Sequence, residues 1–421
     1  MFPRTAVSVL LVCLISIGTI NSCALFELKD ELKGLETTYR LSGKLKGARD
    51  NANPMVAVLY RQESQGIQIA NYTILDPEGH YTFLVPERVY SLVVFEDANQ
   101  NFQYDEGENF GFANHGDPIQ VNAERAAASG TNAVTKLDIE STQKSGFPSG
   151  LPIFVDINSL AGSTFIRIGE VTDLEDPRFT QENGYLGYWK PLTFLRDVGA
   201  GLFFLEKYYS KKIPVLFVHG ANGTPNGWQP LVEQLDRNIY QPWFYYYPSG
   251  MRIESIATAL NNIIHSLDEN HKLKKLVIVA HSMGGLVSRA FILKNAIDDK
   301  QTYINKFISI STPWGGVNTA AMGVENSPIV VPNWIDVEPK SNFIESIYAE
   351  HLPERIKFYL MFGIRGECSR MMENNDGTIE IASELDYRAQ MEAVRIFGYN
   401  EDHSSVLTSP KVLAQFKKLM Q

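Results

Sequence analysis

The sequence predicts an α/β protein, a mostly parallel sheet with helices on both faces, with an all-β sandwich domain on its N-terminal side. Three observations predict it. From residue 212 onward, short apolar runs (IPVLFV, PWFYYY, LVIVA, KFISIS, IKFYLMF, AVRIFGY) alternate with longer helical patterns, as strands joined by crossover helices do. Between residues 39 and 140, the runs LSGKLKG, MVAVLYRQ, IQIANYTI, HYTFLVP and YSLVVFED are separated by turn residues such as Asp76-Pro77-Glu78-Gly79. Between these regions the chain becomes rich in Ser, Gly and Pro (STQKSGFPSGLP), the composition of a join.

With 421 residues, 44% of them hydrophobic and 20% charged, the chain is long enough for two globular domains. The expected division is a signal peptide over 1–22, a tether over 23–38, the sandwich over 39–140, a linker over 141–163 and a catalytic domain over 164–421. A net charge of −10 and the lack of a long basic run argue against nucleic acid as a partner.

The first residues carry one basic side chain, Arg4, then an apolar run over 6–20 and small polar residues before Cys23, the pattern of a secretory signal. Ile20-Asn21-Ser22-Cys23 resembles a bacterial lipobox. That resemblance implies cleavage before Cys23, its lipidation, and a membrane partner reached through an N-terminal lipid anchor. With Ala24 following, it implies an outer-membrane lipoprotein of the bacterial cell envelope. Cys13 would leave with the signal, and Cys368 would remain as the single thiol. An ordinary secretory signal, giving a periplasmic or secreted protein with Cys23 able to bridge Cys368, and an uncleaved anchor are the alternatives.

The order of strands over 39–140 resembles the carboxypeptidase-regulatory or transthyretin-like sandwich. Within it, residues 97–108 place oxygen-bearing side chains at the spacing of a twelve-residue calcium loop: Asp97, Asn99, Asn101, Asp105 and Glu108, with the carbonyl of Gln103 between. Phe102 stands where such a loop usually has glycine to turn. A structural calcium and a plain polar turn are both compatible with this pattern.

Residues 276–292, LVIVAHSMGGLVSRAFI, read as strand, sharp turn and helix with Ser282 at the bend. Such a turn raises a serine Oγ above the sheet edge and sets it at a helix N-terminus, whose unpaired N–H groups, Met283's first among them, can hold an oxyanion. In a parallel sheet, functional residues lie just past the carboxyl ends of strands. The strand IPVLFV ends in His219-Gly220-Ala221-Asn222-Gly223, which resembles the HG turn of the α/β-hydrolases; that resemblance implies the Ala221 N–H as the second oxyanion donor, and His219 reads as a structural histidine. A serine needs a histidine base oriented by a carboxylate. Only His351 and His403, of eight histidines, follow Ser282. His403 comes just after the last strand, whereas His351 lies in the helical stretch SIYAEHLPE. Asp376, in Asn375-Asp376-Gly377-Thr378-Ile379 after IKFYLMFG, is the expected acid, with Glu373 and Glu380 its nearest rivals and Asp402 a weaker one.

The string AHSMGG, with Ala280 where the nucleophile-elbow pattern has glycine, the HG turn, the D-G-x-I turn and Ser311-Thr312-Pro313-Trp314-Gly315-Gly316 resemble the lipase and esterase branch of the α/β-hydrolases. That branch includes GPI inositol-deacylase-like hydrolases and bacterial lipases, and the resemblance covers residues 213–407. It implies an α/β-hydrolase fold and a serine ester hydrolase acting on lipid or acyl-ester substrates through Ser282, His403 and Asp376. No cofactor is implied for catalysis. Residues 315–356, with the apolar run PIVVPNWI and an expected helix over 341–350, are either a lid over an acyl pocket or a packed connection; residues 175–193 are expected as a loop on the site's rim. The same residues would serve an amidase, thioesterase or acyltransferase, and the alternative from another class is a lipid-anchored surface binding protein on a hydrolase-like scaffold.

Overall fold

A computed structural model describes residues 22–36, 38–46, 53–63, 66–75, 79–99, 104–127, 133–140, 142–143, 147, 166–366 and 374–421. Two compact units result. One holds the described parts of Met1–Lys29, Ile166–Phe194 and Ala200–Gln421, the other those of Asp30–Phe165 and Leu195–Gly199.

The second unit is a β-sandwich. One sheet has the order β4-β1-β8, formed by His80–Pro86, Thr38–Lys44 and Ala133–Val134. The other has the order β3-β2-β5-β6, from Gly66–Ile74, Met55–Glu63, Arg88–Glu96 and Phe110–Phe112, with β7 (Ile119–Val121) also pairing with β5. Alternation in β1 sends Tyr39 and Leu41 inward and Arg40 outward, and these meet Ala57, Leu59, Leu92 and Val94 of the facing sheet. Strand β2 is apolar without alternation because both its faces are covered: Val56, Val58 and Tyr60 pack under Tyr104 and Phe110 on the far side. The five long strands lie where the sequence predicts them. Strands β6, β7 and β8, two or three residues each, are too short to show a period and are not anticipated.

The first unit is built on one eight-stranded sheet, order β16-β15-β14-β13-β11-β12-β10-β9. Its strands are β9 Ile166–Val171, β10 Ala200–Phe204, β11 Ile213–Val218, β12 Tyr240–Tyr246, β13 Leu276–His281, β14 Ile304–Ile310, β15 Lys357–Gly363 and β16 Arg395–Tyr399. Strands β11 to β16 are mutually parallel, and β10 meets β12 antiparallel. Central strands β11, β12 and β13 are buried almost throughout, as strands covered by helices on both faces must be. The helix Ile253–His271 shows why: Ile253, Ile256, Ala257, Leu260, Ile263, Ile264 and Leu267 recur at helical spacing and are all buried. This strand order and these crossovers are those of the α/β-hydrolase fold.

Chain order also locates the site. From β11 the chain moves to β12 on one side, then returns to place β13 on the other side, with Val218 opposite Ala280. The crevice past the carboxyl ends of β11 and β13 is therefore the topological switch point, the place where such sheets bind ligands.

Two expectations are corrected. Residues 175–193 are not a loop but carry the helices Gln181–Trp189 and Pro191–Asp197. Thr180 caps the first by accepting the Asn183 N–H. Its glycines masked the helical pattern, yet Gly184 is needed for packing, since a Cβ there would come within 2.5 Å of the Asn222 carbonyl. The helix expected over 341–350 is only Asn342–Ser346, so His351 stands outside any helix.

Candidate active site

Strand β13 ends at His281, and Ser282 turns the chain into the helix Met283–Leu293 with φ 54° and ψ −133°. A non-glycine residue at positive φ is strained, and the neighbours hold it there. The Ser282 N–H donates to the Ile310 carbonyl at 2.8 Å, and the Gly285 N–H to the Ser282 carbonyl at 2.9 Å. Gly284 and Gly285 make the bend possible: a Cβ on the first would come within 2.2 Å of the Val218 carbonyl, and on the second within 2.0 Å of the Thr312 hydroxyl. Ala280, in place of the usual glycine, is fully buried between β11 and β14.

His403, in the turn after β16, lies with Nε2 2.9 Å from the Ser282 Oγ. Its Nδ1 is 2.5 Å from Asp376 Oδ2. The other Asp376 oxygen accepts the N–H groups of Thr378 (2.9 Å) and Ile379 (2.7 Å), and the His403 N–H returns to the Asp376 carbonyl at 2.8 Å. Full burial of Asp376 works to raise its pKa, but the imidazole and the two amides outweigh it and hold the carboxyl below its ordinary value. An ionised Asp376 favours the tautomer with the proton on Nδ1, which leaves the Nε2 lone pair for the serine hydroxyl.

Ala221 and Met283 line the same cleft as Ser282. Gly220 packs directly on the serine, and a Cβ there would come within 2.7 Å of the Ser282 Cβ. The cleft encloses about 600 Å³. Its lining combines apolar side chains, among them Met283, Val317, Trp334, Val337 and Ile379, with the polar Glu175, Gln181, Asn222 and Asn226.

The segment expected as a lid or a packed connection is pinned here. It forms the helices Asn318–Asn326, Pro332–Val337 and Asn342–Ser346. The fully buried Asp336 accepts the Ile253 N–H at 2.6 Å and binds the Arg252 guanidinium. It thereby caps the helix Ile253–His271, which has no cap from its own chain neighbours. The Trp334 indole donates to the Tyr188 hydroxyl at 2.6 Å.

Sequence reasoning assigns no role to several groups that brace the site. His281 is 2.8 Å through Nε2 from the His403 carbonyl, and enclosure lowers its pKa to about 3. Its place inside the elbow motif is the signal that could have drawn attention to it. Arg289, fully buried on the elbow helix, pairs with Glu392 at 2.5 and 3.0 Å and donates to the Ile347 carbonyl. Glu384 is fully buried beside Asp376. His219 stacks on Tyr247 with its Nδ1 2.8 Å from the Gly220 carbonyl, and burial lowers it to about 4, which fits a structural histidine.

The remaining candidates lie elsewhere. His351 is exposed and pairs with Glu392. Glu380 accepts from Asn318, and Asp402 caps its own turn through the Ser404 and Ser405 N–H groups. Glu373, Cys368 and residues 1–21 lie outside the described residues, as do Asn101 and Gln103. Cys23 falls in the helix Ser22–Glu36, with its side chain outside what is described. In the loop 97–108, Glu108 accepts the Ala98 N–H at 2.8 Å with one oxygen and the Asp105 N–H at 2.9 Å with the other, and Asn99 donates to Asp105. Burial, then the nearby charges of Asp105 and Asp97, push the Glu108 carboxyl up despite those amides.

Residues 254–350 match the family model of lecithin:cholesterol acyltransferase. No curated protein matches the chain. Among solved structures, the mature lipase BlEst2 of Bacillus licheniformis is similar over 51% of this chain and 95% of its own, at 19% identity and a TM-score of 0.41. A gene product of Listeria innocua is similar over 48% and 92%, at 17% identity and a TM-score of 0.37. Lipase B of Aspergillus fumigatus is similar over 50% and 52%, at 14% identity and a TM-score of 0.37.

Proposed function

We propose that this protein is a serine ester hydrolase that cleaves lipid or acyl-ester substrates through an acyl-enzyme. The observation that carries the reading is the run of contacts from Ser282 Oγ to His403 Nε2 (2.9 Å) and from His403 Nδ1 to Asp376 (2.5 Å) at the floor of the cleft. Ser282 Oγ attacks the ester carbonyl carbon while its proton passes to His403 Nε2. Asp376 accepts the Nδ1–H and stabilises the imidazolium, and the Ala221 and Met283 N–H groups hold the oxyanion. Collapse breaks the ester C–O bond as His403 returns the proton to the leaving alcohol. A water then attacks the acyl-enzyme, giving its proton to His403, and Ser282 departs with that proton restored.

A fluorophosphonate probe tests this. It should label the wild type and fail to label Ser282→Ala of equal thermal stability. A folded wild type that stays unlabelled would move the assignment to a lipid-anchored binding protein. A chain-length series of p-nitrophenyl esters then sorts lipase from esterase, long chains favouring the first. The similarity of residues 254–350 to an acyltransferase family favours a second outlet, in which an alcohol rather than water clears the acyl-enzyme. Ester formed when an alcohol is added to the assay, at the expense of free acid, would reveal it.

The proposal places this chemistry at a membrane, through a lipid on Cys23. The intact mass of membrane-extracted protein tests that, since an unmodified Cys23 is incompatible with it. Residues 97–108 are proposed to take a structural calcium: each Glu108 oxygen keeps a second lone pair beyond its amide bond, and the carboxylates of Asp97 and Asp105 stand in the same loop.

A further inference from the structure

Glu384 ends the short helix Ile381–Glu384, which follows the Asp376 turn directly and is tied to it by the Ile381 N–H donating to the Asn374 carbonyl at 2.9 Å. Its side chain is fully buried. One carboxyl oxygen of Glu384, one of Asp376 and a ring nitrogen of His403 all lie within 4.8 Å of one another. Neither Glu384 oxygen has a well-formed hydrogen bond in this arrangement. The groups facing it are the Ser311 hydroxyl past β14, the Gly363 N–H at the end of β15, Asp376 and His403.

Two carboxyls in one buried pocket do not both ionise, and the proton goes to the one with fewer donors. Asp376 has three: the N–H groups of Thr378 and Ile379 and the His403 Nδ1. Burial first, and the Asp376 charge next, drive the Glu384 carboxyl well above its ordinary range. A protonated Glu384 has one O–H to donate and a carbonyl oxygen to satisfy. The Gly363 N–H already donates to Ser311 Oγ at 3.3 Å, which leaves the Ser311 O–H for that carbonyl oxygen. Asp376, charged and adjacent, is the acceptor for the Glu384 O–H.

We propose that Glu384 is a positioning residue that, as a neutral carboxylic acid, donates a hydrogen bond to Asp376 and so fixes the carboxylate that orients His403. Donors then converge on Asp376 from two sides, Gly363 to Ser311 to Glu384 to Asp376 on one and Ser282 to His403 to Asp376 on the other. The inference rests on the serine-hydrolase reading for its catalytic consequence, and on the buried pair alone for the state of Glu384.

The test compares Glu384→Gln, Glu384→Ala and Ser311→Ala with the wild type. It measures kcat and KM for a short p-nitrophenyl ester across pH, melting temperature, and the infrared carbonyl stretch of protonated carboxylic acids near neutral pH. Glu384→Ala should lower kcat about tenfold, the size of one lost hydrogen bond, with little change in KM. With one donor gone, Asp376 holds the imidazolium more tightly, so the acidic limb of kcat/KM moves to higher pH. Glu384→Gln, whose amide can donate in the same place, should recover most of the loss and return the limb, and Ser311→Ala should fall between the two. The protonated-acid band should be lost in Glu384→Gln. An acidic limb moved to lower pH in Glu384→Gln would mean an ionised Glu384 and overturn the proposal, as would a band that survives or a Glu384→Ala with wild-type kcat and pH profile. A wild type without turnover would overturn the hydrolase reading instead, and the infrared band would still decide the state of Glu384.

Discussion

The sandwich packs Tyr39, Leu41, Ala57, Leu59, Leu92, Val94, Val121 and Val134 into an apolar core, and the described histidines of that unit, His80 and His115, are exposed. The α/β unit instead buries His219, Arg289, Asp336, Asp376 and Glu384. Buried charge is costly unless it is paired, and His219, Arg289, Asp336 and Asp376 each have a hydrogen-bonding partner that prevents the loss. A scaffold can rest on apolar burial alone, while a site that moves a proton must hold ionisable groups away from water. Among the described residues of the sandwich, the buried carboxyls are Asp97 and Glu108, both of the loop 97–108.

The largest effect is expected from removing the charge at the centre of the α/β unit. Asp376→Asn keeps the shape of the side chain but favours the wrong imidazole tautomer, so kcat should fall by about 10⁴-fold with the fold retained. A loss under tenfold, read from ester turnover, would mean that Asp376 does not orient the base. Next comes Arg289→Ala, which takes the fully buried guanidinium from the partly buried Glu392, leaves that carboxylate only His351, and should cost about 3 kcal/mol in urea unfolding. A cost below about 1 kcal/mol would show the ion pair to be incidental.

Acid should separate the two units. His219 and His281 have pKa values of about 4 and about 3 in the fold, against an unfolded value of 6.5. Between those values the unfolded chain binds protons that the folded chain refuses, so stability is full above pH 6.5 and is lost as pH falls toward 4 and 3. For the fully buried His219 the loss is on the order of 3 kcal/mol. Calorimetry across that range should show the α/β transition moving down in temperature well ahead of the sandwich transition. Two transitions that fall in parallel would refute the assignment.

How much of this was legible depends on how far apart the cooperating residues lie in sequence. The α/β sheet could be read strand by strand because each strand is a continuous apolar run, and Ser282, Ala221, Asp376 and His403 could be singled out because each follows one. The structure brings Ser282, Asp376 and His403 within hydrogen-bond reach. What braces them could not be read. Asp336 caps a helix 83 residues away, Arg289 meets Glu392 across 103, and Glu384 looks in sequence like any surface glutamate of a short helix. The helix Gln181–Trp189 was hidden for another reason: its glycines lower helical propensity, and tertiary contacts at Gly184 override that.

The smallest effects are expected at the sandwich loop, and they decide whether its acidic pair resembles the α/β site at all. Glu108→Ala strips the Ala98 and Asp105 N–H groups of their acceptor and should cost about 1–3 kcal/mol, with ester turnover unchanged. Glu108→Gln keeps one acceptor oxygen and should cost less. If the loop binds calcium only when folded, adding the ion at about a hundred times its Kd should stabilise the sandwich transition by about 2.7 kcal/mol, and EGTA should reverse the gain. Both variants should then lose that response, including the Gln variant whose fold is nearly intact. A wild-type sandwich transition indifferent to calcium and EGTA would instead make Glu108 a carboxylate that serves only its own loop. Its two oxygens would then be spent on backbone amides, where Asp376 spends one on amides and keeps the other for His403.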